Sequence, residues 1–232
     1  MKTLSIIVPV YNEEETVAEV LRRVGAFALG DWNKEIIVVD DGSKDRSREE
    51  IMRVQREALP DLKFIAHEQN AGKGAAVRTA LAAASGEYVA IQDADLEYDP
   101  ADIGALLGEA EQHNAPVVYG SREIAPERRG YPHYVLGVKI LTGATNLLYG
   151  SGLTDIYTGH KLLHASALDR IQPLTSRGFE FEAEVTAKLL KAGIPIREIP
   201  IRYHPRSFAE GKKIKMRDGL KGLQKIIAEW RG

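Results

Sequence analysis

Residues 88–97, Tyr88-Val89-Ala90-Ile91-Gln92-Asp93-Ala94-Asp95-Leu96-Glu97, join an apolar run to a ladder of acids. Four uncharged residues predict a strand covered on both faces. Three carboxylates then follow at alternate positions. On an extended backbone, positions i, i+2 and i+4 project to one side. Asp93, Asp95 and Glu97 are therefore expected to offer oxygens to one hard divalent cation, Mg²⁺ or Mn²⁺, shared with a phosphorylated substrate. Acids at strand ends also make turns and helix N-caps, as Asp99-Pro100 does for the next helix, and spacing alone leaves both roles open.

The pattern around this stretch is a βαβ rhythm. Apolar runs at Leu4 to Val8, Glu35 to Val39 and Lys63 to Ala66 alternate with helical periodicity over Glu13 to Ala28, Lys44 to Glu57 and Lys73 to Ala84. Tyr88 to Ile91, Asp99 to His113 and Val117 to Tyr119 continue it. The expectation is a single α/β domain with a mostly parallel sheet flanked by helices, binding its ligand at the carboxyl ends of the strands. The second half is less regular. It predicts helices over Tyr134 to Tyr149 and Phe179 to Lys191, strands near Tyr157 to Leu163 and Ile196 to Tyr203, and a last helix from about Lys213.

Composition narrows the function classes. The 232 residues contain no cysteine, which excludes a disulfide framework and a thiolate zinc site. The longest charge-free stretch, Ile140 to Thr154, contains three glycines and is too short to span a bilayer. With no hydrophobic leader after Met1, the expected compartment is the cytosol. Net charge is only -2, yet from Arg202 onward nine Lys/Arg face three Asp/Glu. In the last helix Met216, Leu220, Leu223, Ile227 and Trp230 recur at spacings of three and four. This amphipathic basic segment is expected either to dock on the body of the protein or to lie on a membrane surface.

Three further strand ends carry polar signatures. Val8-Pro9-Val10-Tyr11-Asn12-Glu13 follows the first strand, and Val39-Asp40-Asp41-Gly42-Ser43 follows the second. Asp40 is suited to accept a hydrogen bond from a base N–H, and Asp41 to serve a ribose or the metal; either acid also suits a turn. Asn70-Ala71-Gly72-Lys73-Gly74 opens a helix of small residues, where glycines allow close backbone approach and the helix end favours an anion.

Taken together, VPVYNEEET, VDDGSKD, NAGKGAA, QDADLEYDP, YGSRE, TDIYTGHKLL, GFEFEAEV and HPRSFAEGKKI resemble the family 2 glycosyltransferases of GT-A fold, in the branch of dolichyl-phosphate mannose synthase and the polyprenyl-phosphate glycosyltransferases. The eight motifs run in order across nearly the whole chain. The resemblance implies inverting transfer of a hexose from a UDP- or GDP-sugar to a polyprenyl phosphate, with residues 1–212 as the catalytic domain and 213–232 as the basic helix. It implies that Asp95 and Glu97 hold the metal while Asp93 faces the ribose or sugar, and that Pro9, Tyr11, Glu13, Asp40, Asp41 and Lys73 surround the nucleotide. Arg206, Lys212 and Lys213, in a glycine-containing loop, would neutralise the departing diphosphate. Two departures stand out. Glu97 takes a position that is often Gln in the mannose synthases, and His160-Lys161 replaces an aromatic or Phe-Arg pair.

On the acceptor side the resemblance assigns Arg122 to the lipid phosphate, with Arg128 and Arg129 as further contacts. A phosphate is already an anionic nucleophile, whereas a sugar hydroxyl needs a general base, for which Asp155, Glu180 and Glu182 are the candidates. The partners implied are the nucleotide sugar, the polyprenyl phosphate, the cytoplasmic face of the membrane and a separate membrane protein, with no nucleic acid. A non-catalytic nucleotide-sugar binder and a nucleotidyltransferase are the competing classes. Retention of all three acids speaks against the first, and the acidic rather than Gly-rich basic segment Val8 to Glu15 against the second.

Overall fold

The structure is a computed structural model that describes residues 2–124, 132–206, 213 and 216–232. The chain alternates β1 (Thr3–Val10), α1 (Val17–Ala26), β2 (Asn33–Asp40), α2 (Ser47–Glu57), β3 (Lys63–Ala66), α3 (Lys73–Ala83), β4 (Tyr88–Ile91), α4 (Asp102–His113) and β5 (Val117–Ser121). It continues through α5 (Pro132–Tyr149), β6 (Lys161–His164), α6 (Ala165–Arg170), α7 (Phe181–Lys191), β7 (Arg197–Pro200) and α8 (Met216–Arg231).

One seven-stranded sheet runs in the order β3-β2-β1-β4-β6-β5-β7. β1 pairs in parallel with β2 and β4, as β2 does with β3 and β5 with β7, whereas β6 is antiparallel to β4 and β5. Helices cover both faces, so the strands alternate between two apolar layers. Leu4, Ile6, Val8 and Val10 face the layer shared with α1, α2 and α4, and Ile7, Ile37 and Val39 face the one shared with α3 and α7. A third, smaller core joins Leu141 of α5, Ile156 and Tyr157 of the following loop, Ala183 of α7 and Ile226 of α8.

The βαβ half follows the sequence expectation closely. Three details of the second half differ. The run from Tyr157 is strand only from Lys161, and that strand enters the sheet antiparallel. The short helix α6 has too few residues to show a period. On α8 the buried residues are Gly222 and Ile226, while Leu220 and Trp230 of the expected apolar stripe stay exposed.

Candidate active site

A cleft of about 720 Å³ opens at the carboxyl ends of β1 and β4 and is roofed by α5 and α8. Sequence dictates its floor. β4 ends at Ile91, and the acids that follow lie in a turn rather than on extended backbone. Leu96 adopts the left-handed conformation, φ 59°, which a branched side chain takes only when its surroundings impose it. Its side chain packs against the first core, and the reversal separates the three acids. The expected three-carboxylate ladder is thereby corrected. Asp93 turns to Lys73 Nζ at 2.7 Å, while the Glu97 N–H donates to Asp95 Oδ1 at 3.1 Å and holds those two acids together.

Around Asp95 and Glu97 the cleft gathers Glu13, Arg206 and Lys213. Arg206 donates to both Glu13 oxygens, at 2.8 and 3.0 Å, and to Asp95 Oδ2 at 3.3 Å. Its backbone N–H donates to Glu97 Oε1 at 2.8 Å, and Tyr203 donates to Glu97 Oε2 at 2.7 Å. Lys213 donates to Glu13 and to the Tyr11 carbonyl. Burial pushes the Asp95 carboxyl up to about 7, Asp93 and Glu97 add to this, and Arg206 offsets only part. The site is thus short of positive charge. Among the described residues no three His, Asp or Glu side chains form a ready-made metal cage. Mg²⁺, however, is commonly held by one or two carboxylates, with substrate phosphates completing the shell. The close, electron-rich pair of Asp95 and Glu97 suits such an ion, or Mn²⁺, when a diphosphate is bound.

A second cluster lies deeper in the cleft. Lys73 bridges Asp93 and Glu182, the latter at 3.0 Å, and Glu182 also accepts from the fully buried Lys161. Burial works against the Lys73 charge, but the two carboxylates outweigh it and raise its pKa above the usual lysine value. Lys161 further donates to the carbonyls of Ile156 and Thr158, tying the 156–158 loop to α7. Gly159 permits the approach of Asp93, because a Cβ there would stand 2.4 Å from Asp93 Oδ2. The sequence marks Glu182 as a candidate base and Lys161 as a departure from the family pattern, but not their pairing.

The remaining expectations divide. Pro9, Tyr11, Glu13, Asp41 and Lys73 line the cleft. Asp40 does not: its carboxylate is buried, accepting from Arg48 at 3.1 Å and from the Ser43 N–H at 3.1 Å, so it shapes the loop after β2 instead of reaching a base. Asp41 accepts from the Ala71 and Gly72 N–H groups at 3.0 and 2.8 Å and from Asn70 at 2.9 Å, which anchors the glycine segment. Arg122 lines the cleft in a bidentate pair with Asp155, at 2.6 and 2.8 Å, beneath the Tyr203 ring. Burial drives the Asp155 carboxyl up, but the Arg122 charge and hydrogen bonds hold it below the usual range. Glu180 accepts from the Gly178 N–H at 3.0 Å. Of the three candidate bases only Glu182 lines the cleft, ion-paired with Lys73 and Lys161; Asp155 is paired with Arg122, and Glu180 keeps one buried oxygen, Oε2, without a hydrogen bond among the described residues. His160 is a packed histidine, hydrogen-bonded to Gln92 at 2.9 Å, with burial lowering its pKa to about 4. Arg128, Arg129 and Lys212 lie outside the described residues.

The mostly parallel sheet carries its acidic, cation-lined cleft at the carboxyl ends of its strands, where α/β folds bind their ligands. The chain belongs to glycosyl transferase family 2, whose model matches residues 5–172. Among curated proteins it is 32% identical over 208 residues to the low-salt glycan biosynthesis hexosyltransferase Agl6 of Haloferax volcanii, an alignment covering 88% of this chain and 48% of that protein. It is 28% identical to the uncharacterized protein MJ0544 of Methanocaldococcus jannaschii, over 90% of this chain and 93% of that one. An undecaprenyl-phosphate 4-deoxy-4-formamido-L-arabinose transferase of Salmonella paratyphi A is 36% identical over 115 residues, covering 48% of this chain and 35% of that protein. The chain thus spans about half of the hexosyltransferase and about a third of the arabinose transferase. Glucosyl-3-phosphoglycerate synthase of Mycobacterium tuberculosis, solved with Mg²⁺ and UDP, shares the fold with a TM-score of 0.76 at 19% identity, over 99% of this chain and 80% of that one.

Proposed function

We propose that the protein transfers a hexose from a UDP- or GDP-sugar to a polyprenyl phosphate at a membrane surface, with inversion at the anomeric carbon. One observation carries this reading. The cleft pairs an acidic metal-type site with basic side chains, yet the one candidate base that lines it, Glu182, is ion-paired with both Lys73 and Lys161. That arrangement suits a nucleophile that arrives as an anion. The arabinose transferase, named for undecaprenyl phosphate, and the hexosyltransferase support the same choice.

Asp95 and Glu97 would hold the divalent ion, which supplies charge neutralisation to the leaving diphosphate. Arg206 and Lys213 exchange Glu13 for diphosphate oxygens and add to that neutralisation. Lys73 and Asp93 face the ribose or sugar, Pro9, Tyr11 and Asp41 border the nucleoside, and Arg122 stands on the acceptor side. An acceptor phosphate oxygen forms the bond to the anomeric carbon as the carbon's bond to the nucleoside diphosphate breaks.

No helix among the described residues is long and apolar enough to cross a membrane. The neighbouring helices α5 and α8 nevertheless expose Leu136, Ile140 and Leu147, and Leu220 and Trp230. These apolar residues, beside the basic charge of α8, suit peripheral contact with the cytoplasmic membrane face. The test is release of UDP or GDP from a panel of nucleotide sugars by the purified protein with Mn²⁺, with and without polyprenyl phosphate. Stimulated release with one donor is expected, and no release with any pairing refutes the proposal.

A further inference from the structure

Lys161, half of the His160-Lys161 pair that departs from the family pattern, is only 1% exposed and is not among the residues that line the cleft. Its ammonium is fully coordinated. It donates to the Ile156 carbonyl at 3.1 Å, to the Thr158 carbonyl at 2.6 Å and to Glu182 Oε2, and it lies 4.7 Å from the centre of the buried Tyr119 ring. Three N–H groups thus meet three acceptors. Through Glu182 this buried charge reaches the cleft. Lys73 forms ion pairs with Glu182 Oε1 at 3.0 Å and with Asp93 Oδ1 at 2.7 Å, and donates to Asp93 Oδ2 at 3.0 Å. Lys161, Glu182, Lys73 and Asp93 therefore form a row of alternating charge that sums to zero.

Without the Lys161 charge the row sums to -1, and Lys73 is the only cation left to serve two carboxylates. A buried charge short of a counterion is costly, so Glu182 draws on the nearest cation. Lys73 is then pulled from Asp93 toward Glu182. An uncompensated negative charge also stands in the cleft where the donor diphosphate brings its own.

We infer that Lys161 is a positioning residue for the donor: by neutralising Glu182 from beneath the cleft, it leaves Lys73 to Asp93 and to the nucleotide sugar. Its effect on the donor runs only through Glu182. This deepens the nucleotide-sugar reading of the cleft and rests on it for the identity of the donor. The competing role is mechanical, since Lys161 also holds the 156–158 loop between Asp155 and Gly159.

The test is a double-mutant cycle on the full chain, with UDP and GDP affinity measured by calorimetry in Mn²⁺ and stability by denaturant unfolding. Lys161→Met keeps the length of the side chain and removes its charge, and is expected to weaken binding of the nucleotide that the wild type prefers by about tenfold. Adding Glu182→Gln returns the row to zero charge and is expected to bring affinity back to within about threefold of the wild type. Stability changes sign across the cycle. Lys161→Met lowers the unfolding midpoint of the wild type and raises that of Glu182→Gln, where Lys161 otherwise lies buried without its counterion. If Lys161→Met alone does not fold, the neutral double variant decides: near-wild-type affinity supports the role, and a tenfold loss overturns it. Unchanged affinity in Lys161→Met overturns it too, as does a loss that Glu182→Gln fails to recover, which assigns Lys161 to the loop. No binding of either nucleotide by the wild type refutes the donor reading together with this role, whereas failed recovery beside intact wild-type binding refutes this role only.

Discussion

The chemistry of single residues is set by who shares their charge. Asp95 is the clearest case, because burial beside Asp93 and Glu97 raises its carboxyl to about 7. Its folded pKa lies above its unfolded one, so its ionisation opposes folding, and the metal-free protein loses stability as pH rises from about 4 to 7. Divalent-ion binding must displace the proton below that range. Mn²⁺ affinity in the presence of nucleotide is therefore expected to fall about tenfold per pH unit below 7 and to level off above it, measured by calorimetry across that window. Asp95→Asn should abolish transfer while stabilising the metal-free protein at pH 8. Asp41 serves as a structural acceptor. Asp41→Ala removes the acceptor of the Ala71 and Gly72 N–H groups, so denaturant unfolding should show a loss of about 2–4 kcal/mol along with weaker nucleotide binding.

At the scale of elements, two junctions position the cleft. The turn after β4 owes its shape to a left-handed Leu96, and no period in the sequence announces it. The seat of α8 is set by glycine. A Cβ at Gly222 would fall 1.7 Å from the Tyr157 hydroxyl, so Gly222→Ala requires either the Tyr157 ring or the helix to move. Thermal unfolding and proteolysis of α8 should reveal a destabilisation of about 1–3 kcal/mol. The helix was legible as amphipathic, and spacing left open whether its apolar stripe docks on the protein or lies on a membrane. Met216, Leu220, Leu223, Ile227 and Trp230 trace one stripe by spacing, whereas small Gly222 and Ile226 let the helix approach and left Leu220 and Trp230 outside.

For the whole molecule, the exposed apolar residues of α5 and α8 lie on the helices that roof the cleft. Leu147, 84% exposed, and Trp230, 50% exposed, touch little of the core. Leu147→Glu with Trp230→Glu is expected to abolish sedimentation with anionic vesicles while shifting stability by no more than about 0.5 kcal/mol. Wild-type vesicle binding should weaken with rising salt as the basic charge of α8 is screened. Unchanged sedimentation would place the membrane contact elsewhere.

Local pattern by itself determined the βαβ half, the carboxyl-edge site and the acids on the loops after β1, β2 and β4, because burial on both faces of a parallel sheet writes continuous apolar runs into the chain. Partnership was decided only by the tertiary structure. Asp93 went to Lys73, Asp40 to Arg48, Arg122 to Asp155 and Glu13 to Arg206, across separations that no local period encodes. A buried charge must find its counterion wherever the fold places one, and that choice separates the acids left to hold a metal from those already satisfied.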